Sequence, residues 1–276
     1  MVSLLITLLL FLHLNGIEES PMLYRYNIQN KNVSSTELPK ALKEISGMAV
    51  TKDGRVFAHN DERAVICQVD VNSGEIIKSF SVGKKALRGD FEDIAIVDKK
   101  FYLITSDGYL IEFTEGRDKS SVDYKRYETG LSASYNIEGM CYDDETNSLI
   151  LACKDYPGNG YNGYRTCYSF SLASNKLDKK PKFVLPIKYI TGKIGIKDFK
   201  PSGISKNPAS GSFFIISAND NGIIEVSPDG KVIAQSKLPK HIHEQPEGIA
   251  FLPDKTLLIS DEGKTVGSIT KYPLGK

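Results

Sequence analysis

Residues 91–108 read FEDIAIVDKKFYLITSDG. Two apolar runs of strand length, DIAIV and FYLIT, flank a short polar turn, and the unit closes on Asp and Gly. That is the signature of a β-hairpin; no helical period runs through it. The phrase returns as PEGIAFLPDKTLLISDEG at 246–263. It recurs more loosely as ISGMAVTKDGRVFAHNDE at 45–62, IEGMCYDDETNSLILACKD at 137–155 and PSGISKNPASGSFFIISAND at 201–220. The anchoring residues Ser46, Glu92, Glu138, Ser202 and Glu247 are spaced by 46, 46, 64 and 45 positions, so one supersecondary unit is repeated five times.

The first repeat resolves into four runs, GMAVT, GRVFAHN, AVICQVDV and IIKSFSV, parted by turn residues. Four strands in about 45 residues is the arithmetic of a propeller blade. The expected fold is all-β: a five-bladed β-propeller of four-stranded antiparallel blades. The fifth repeat stops one strand short, and the run MLYRYNIQN at 22–30 is the spare strand expected to pair with it and cover its edge. Six blades is the alternative, if the long third repeat hides another; its extra residues, 155–165 and 186–199, read as loops.

The composition, 41% hydrophobic and 25% charged over 276 residues, supports a sizeable core. With 35 basic against 34 acidic side chains there is no global field to favour nucleic acid. The apolar run VSLLITLLLFLHL at 2–14 has the length of a signal peptide and is short for a membrane span. Residues 1–20 are therefore expected to be an export signal or N-terminal anchor, and 21–276 a single propeller domain. Export would place the protein in the periplasm, the cell envelope or outside the cell; an uncleaved segment would anchor it in the inner membrane and be its sole membrane contact. Cys67, Cys141, Cys153 and Cys167 fit no zinc spacing. They are either buried thiols or, in the third repeat, a Cys141–Cys153 or Cys153–Cys167 bridge.

In a hairpin, the start of the first strand and the end of the second share one edge. Ser46 with Asp61, Glu92 with Asp107, Glu138 with Asp155, Ser202 with Asp220, and Glu247 with Asp261 are thus expected around one mouth of the central channel. Eight of those ten residues are carboxylates, which makes the mouth acidic. Asp at a strand end also serves as a turn former, whereas Glu is a poor one and is costly to bury unpaired. Glu92, Glu138 and Glu247 are accordingly the candidate metal ligands, with Ca²⁺ favoured by an oxygen-only set. Asp61, Asp107, Asp155, Asp220 and Asp261 are candidate ligand contacts, joined by Tyr156 from the Gly-rich and Tyr-rich insertion KDYPGNGYNGYR. His59, before Asn60 and Asp61, is a candidate acid–base group; His241 and His243 form a weaker H-x-H pair in a loop. No nucleophile elbow, P-loop or H-E-x-x-H is present, and no organic cofactor is implied.

The phrases ISGMAVTKDGRVFAHNDER, GDFEDIAIVDKKFYLITSDG, IEGMCYD, KPSGISKNPASG and EQPEGIAFLPDKTLLISDEG, in that order over about residues 40–265, resemble the SdiA-regulated (YjiK-like) family. The resemblance implies a propeller exported to, or anchored at, the bacterial cell envelope. PEGIAF is also similar to NHL repeats and to the gluconolactonase and regucalcin propellers. In those a Glu at a strand start helps hold a divalent metal for lactone hydrolysis, which by analogy would assign Glu92, Glu138 or Glu247. Two functions are therefore expected: a binding propeller for a small ligand or envelope protein at the acidic mouth, with or without calcium, or a metal-dependent lactonase or hydrolase using those glutamates with Asp61 or His59.

Overall fold

The structure is a computed structural model that describes residues 20–275. The expected export segment therefore lies, but for Ser20, outside the described residues. Five sheets stand around one axis, antiparallel but for the short outermost strand Ser121–Val122 of the first, and each starts with a repeat's first strand: Ile45–Val50, Phe91–Val97, Ile137–Asp143, Gly203–Lys206 and Pro246–Phe251. Each of these inner strands packs against the next, and the last packs against the first, so the ring is closed with five blades. The second strands, Val56–Asn60, Lys100–Thr105, Ser148–Cys153, Phe213–Ser217 and Leu257–Asp261, are almost wholly buried. That burial on both faces is why they read as unbroken apolar runs.

An apolar core fills each blade-to-blade boundary. Between the first and second blades Phe57, Phe80, Phe101 and Phe113 meet mostly edge-on, with ring centroids 5.0 to 6.3 Å apart, within the favoured range for aromatic pairs. The other four boundaries carry equivalent clusters centred on Leu151 and Phe170, on Phe183 and Phe213, on Phe214 and Phe251, and on Met48 and Leu258.

The last blade is closed from the N-terminal side, but by a different segment from the one expected. Residues Ser34–Glu37 pair antiparallel with Ser268–Tyr272. The run read as the closing strand instead begins with the short helix Met22–Arg25. Met22, Leu23 and Tyr26 point together into the core between blades four and five. The Leu23 amide donates to Glu225 Oε2 at 2.8 Å, and the Tyr26 hydroxyl joins Asn207 to the Lys255 carbonyl. Spacings of one, three and four residues put these side chains on one helical face, which a strand would have split.

The long third repeat hides no sixth blade. Its third strand, Tyr164–Ser171, is long enough to pair with two short outer pieces, Lys176–Leu177 and Phe183–Pro186. Part of the segment read as a loop, 186–199, is the helix Ile187–Ile194, ended by Gly195 in the left-handed conformation. All four cysteines are free and buried. Cys141 lies opposite Ile150 and Cys153 opposite Thr166, so the strand register sets neither expected pair face to face.

Candidate functional site

The echoed anchor position has a structural cause. In four blades the pairing of the first two strands slips at the same point, between Ile45 and Gly47, Phe91 and Asp93, Ile137 and Gly139, and Pro246 and Gly248. The residues left over are Ser46, Glu92, Glu138 and Glu247. Each sits in a β-bulge, a device that takes a side chain out of the ladder's alternation and re-aims it. Glycine follows in every blade but the second, where Asp93 stands, because the strands crowd there. A Cβ on Gly248 would lie 2.4 Å from Ser260 Oγ, and one on Gly203 2.6 Å from the Glu247 carbonyl oxygen.

The two serines of this series are struts between blades. Ser46 Oγ donates to the Glu92 carbonyl at 3.0 Å, and Ser202 Oγ to the Pro246 carbonyl at 2.6 Å. The three glutamates remain, and they do come together. Burial, then Glu138, then Asp90 and Glu247 push Glu92 up to about 9, with Lys154 opposing. Burial pushes Glu247 up to about 8; Glu138 and Glu262 add to this, while Gln245 and Lys154 oppose. Glu138 is raised by burial and restrained by Lys154, whose Nζ lies 2.9 Å from Glu138 Oε1. Burial alone would lower the Lys154 pKa, but Glu138, Glu247 and Glu92 outweigh it and hold the ammonium charged. Three carboxylates from three blades thus feel one another and one cation at one end of the axis, and it is Glu138 that pairs with that cation.

The expected ring of aspartates does not form. Asp107 is exposed and accepts the Thr105 hydroxyl within its own turn. Asp155 is held by Asn136 and, at 2.7 Å, by Lys200. Asp220 accepts the Lys197 and Asp198 amides that follow the helix Ile187–Ile194. Asp261 is buried and faces His243 Nδ1 at 2.7 Å. Asp61 is half-buried, raised by burial and by Glu44, and stands near Glu262 on the rim between blades one and five. The strand register explains the scatter: Asp261 occupies the place of Asn60, and Lys154 that of Asp61. Tyr156 donates to Asn159 and packs edge-on against Tyr135, within its own blade.

His59 is fully buried, its Nδ1 donating to the Asn60 carbonyl at 2.9 Å, and burial lowers its pKa to about 4. It is a neutral ring below the mouth. His243 is not in an exposed loop; it is buried between Asp261 and the Tyr272 hydroxyl, each 2.7 Å away. Lys154 and Gln245 were missed in the sequence. Gln245 Nε2 links Glu247, at 3.0 Å, to Glu262. The signal for Lys154 was its place one residue after the second strand of blade three, where two other blades carry Asp61 and Glu262.

Among the described residues no group of three or more His, Cys, Asp or Glu side chains is drawn close enough to hold a metal ion. The donor chemistry is that of a hard cation, all oxygen, but Lys154 occupies the position of the counter-charge.

Residues 173–273 match the SdiA-regulated family. No curated protein matches the chain in sequence. Among solved structures, a glutaminyl cyclase from Myxococcus xanthus is similar with a TM-score of 0.55 at 14% identity, over 87% of this chain and 96% of that one. A luciferin-regenerating enzyme is similar with a TM-score of 0.53 at 10% identity, over 87% and 95%. A streptogramin B lyase has a TM-score of 0.50 at 11% identity, over 86% and 96%. At these identities the likeness is one of fold, the β-propeller, and function has to be argued from the site.

Proposed function

We propose that the protein is an exported propeller of the cell envelope that binds a cation-bearing ligand in the mouth formed by Glu92, Glu138 and Glu247, without catalysing its conversion. The observation that supports this reading is the charge balance: three desolvated carboxylates on bulged positions of three blades, with a single lysine among them. Carboxylates so placed repel one another's ionisation and are held partly protonated. A ligand cation would complete what Lys154 begins, and carboxyl groups perturbed by burial and by one another are where binding or chemistry is expected. Calcium is the simplest such cation; an organic ammonium is the closer analogue of the lysine already seated there. Metal-dependent hydrolysis at the same glutamates is the competing reading.

The test is thermal melting of the purified protein in millimolar Ca²⁺ and, separately, in a millimolar diamine such as putrescine. A ligand that binds only the folded state raises Tm by mass action. The proposal expects a rise with at least one of the two, reduced in Glu138→Gln and Glu247→Gln. Full retention of the rise in both variants would put the cation elsewhere.

A further inference from the structure

Blade three has a forked outer edge, at the end of the sheet opposite Glu138. The strand Tyr164–Ser171 pairs there with Lys176–Leu177 and, further along, with Phe183–Pro186. Between the two pieces the Asp178 amide donates to the Ser169 carbonyl and the Lys182 amide to the Cys167 carbonyl, both at 2.8 Å, so the intervening residues bow out of the ladder. Pro181, which has no N–H to give a ladder, is one of them. Beside this bow an open cleft of about 510 Å³ is walled by Thr146, Ser148, Ser169 and Ser171 from the sheet and by Asp178 and Lys180 from the loop.

The sheet wall is a bank of hydroxyls. Ser148 stands opposite Ser171, and Ser169 is two positions from Ser171, so the three share the sheet face on which Ile150 enters the core between blades three and four. Their hydrogens are unequally committed. Thr146 Oγ1 donates to Asp143 Oδ2 at 2.6 Å, and Ser148 Oγ to the Thr146 carbonyl at 3.1 Å. Ser171 Oγ accepts the Ser174 amide at 3.3 Å, which leaves its own hydrogen to give. Ser169 is only 5% exposed, and among the described residues its hydroxyl has no partner. A buried hydroxyl without a hydrogen bond is costly, and this one borders the cleft.

The charge beside these hydroxyls is positive. The segment KLDKKPK, 176–182, holds four lysines and one aspartate. Lys182 Nζ is spent on Asp143 Oδ2 at 3.0 Å. Lys176, opposite Ser171 in the ladder, and Lys180, in the cleft wall, have no ion pair among the described residues. What the cleft has to offer is therefore donors and cations, with Asp178 the one opposing charge in its wall.

We propose that this cleft is a second binding site, which takes a phosphate group: the Ser169 and Ser171 hydroxyls donate to its terminal oxygens, and Lys180 and Lys176 balance its charge. A phosphate monoester brings three acceptor oxygens and about −1.5 to −2 charge at pH 7, and hydrogen bonds to it are charge-assisted. A neutral polyol brings donors of its own and gains nothing from the lysines. The site lies apart from the carboxylate mouth, and either can fail without the other.

Amide ¹H–¹⁵N spectra of the purified protein are titrated with inorganic phosphate at constant ionic strength, with sodium chloride as the reference salt and glycerol as the uncharged control. Phosphate should move the Ser169, Asp178 and Lys182 amides saturably and leave those of Glu92, Glu138 and Glu247 in place; chloride and glycerol should move none of them. Ser169→Ala should weaken binding about tenfold, the effect of losing about 1.4 kcal/mol. Lys180→Met should weaken it about threefold and Asp178→Asn tighten it by a similar factor, both effects shrinking at high salt. Vesicles of phosphatidic acid in phosphatidylcholine, set against sn-glycerol 3-phosphate, distinguish a lipid headgroup from a soluble ester as the source, and binding of neither counts against the site. Unmoved amides, equal movement with chloride or glycerol, or unchanged affinity in both Ser169→Ala and Lys180→Met would each overturn the assignment. The wild-type titration decides the matter even where a variant does not fold.

Discussion

Asp93 Oδ2 accepts the Met140 amide at 2.7 Å, a bond from the inner strand of blade two to that of blade three. Its Oδ1 accepts the Ile94 amide at 2.8 Å. In the other four blades the same position is Gly47, Gly139, Gly203 or Gly248, so at this position blade two alone carries a side chain that ties it to its neighbour. Asp93→Asn forces an amide NH₂ against one of two N–H donors in a buried site. Loss of about 1–3 kcal/mol of stability is expected, read by urea denaturation; a variant as stable as the wild type would mean that the two bonds carry no weight.

The acidic mouth should set the alkaline limb of stability. Glu92 and Glu247 keep their protons in the folded protein up to about 9 and about 8, against 4.5 for an ordinary glutamate. The folded state then binds more protons than the unfolded state between those values. The contribution of these two glutamates to stability is full below about pH 4.5 and is lost as pH rises toward about 9. His59 acts in the opposite sense: its folded pKa of about 4, below the ordinary 6.5, gives stability present above 6.5 and lost as pH falls toward 4. Thermal melts across this range should show a maximum between the limbs, with the alkaline limb flattened in Glu92→Gln and Glu247→Gln. An unchanged alkaline slope in both would remove the glutamates from that role.

Lys154 is the counter-charge of the mouth. Lys154→Met keeps the stem and removes the ammonium, leaving Glu138 buried without its 2.9 Å partner. The cost should be about 2 kcal/mol near neutral pH, and smaller in acid where the glutamates are protonated. Equal destabilisation at both pH values would indicate lost packing and not lost charge.

Two glycines separate close packing from propensity. A Cβ at Gly203 would stand 2.6 Å from the Glu247 carbonyl oxygen, so Gly203→Ala must displace an inner strand. Gly192, exposed within the helix Ile187–Ile194, has nothing within 4 Å of its Cβ position. Gly192→Ala should stabilise the protein by about 0.5–1 kcal/mol, and Gly203→Ala should cost more than that. Denaturation midpoints moving in the same direction for the two variants would contradict this account.

The blade count was legible because each repeat needs the same hairpin, and turn and apolar residues recur at its spacing. The closing segment was misread because MLYRY satisfies a strand pattern over four or five residues as well as a helical one; only the tertiary placement of Met22, Leu23 and Tyr26 decides between them. The helix Ile187–Ile194 was hidden because Ile, Tyr and Thr are weak helix formers and Gly192 interrupts them, so packing of Ile190, and not propensity, holds it. At the site, the glutamates could be found because Glu has no turn-forming reason to recur. The aspartates misled because Asp261 lies in the ladder opposite Pro246, whereas Asp107 and Asp155 fall two residues beyond the equivalent positions, Thr105 and Cys153. Lys154 and Gln245 follow from strand register alone, which one sequence does not display.

The central claim is that the carboxylate mouth binds a cation in place of protons. Calorimetric titration near pH 7 with the cation that raises Tm, in two buffers of different ionisation enthalpy, measures the protons released on binding. With Glu92 and Glu247 protonated in the free protein, binding should release about one proton or more per cation, and Glu92→Gln together with Glu247→Gln should abolish the release. Binding with no proton release, or release unchanged in the double variant, would contradict the account.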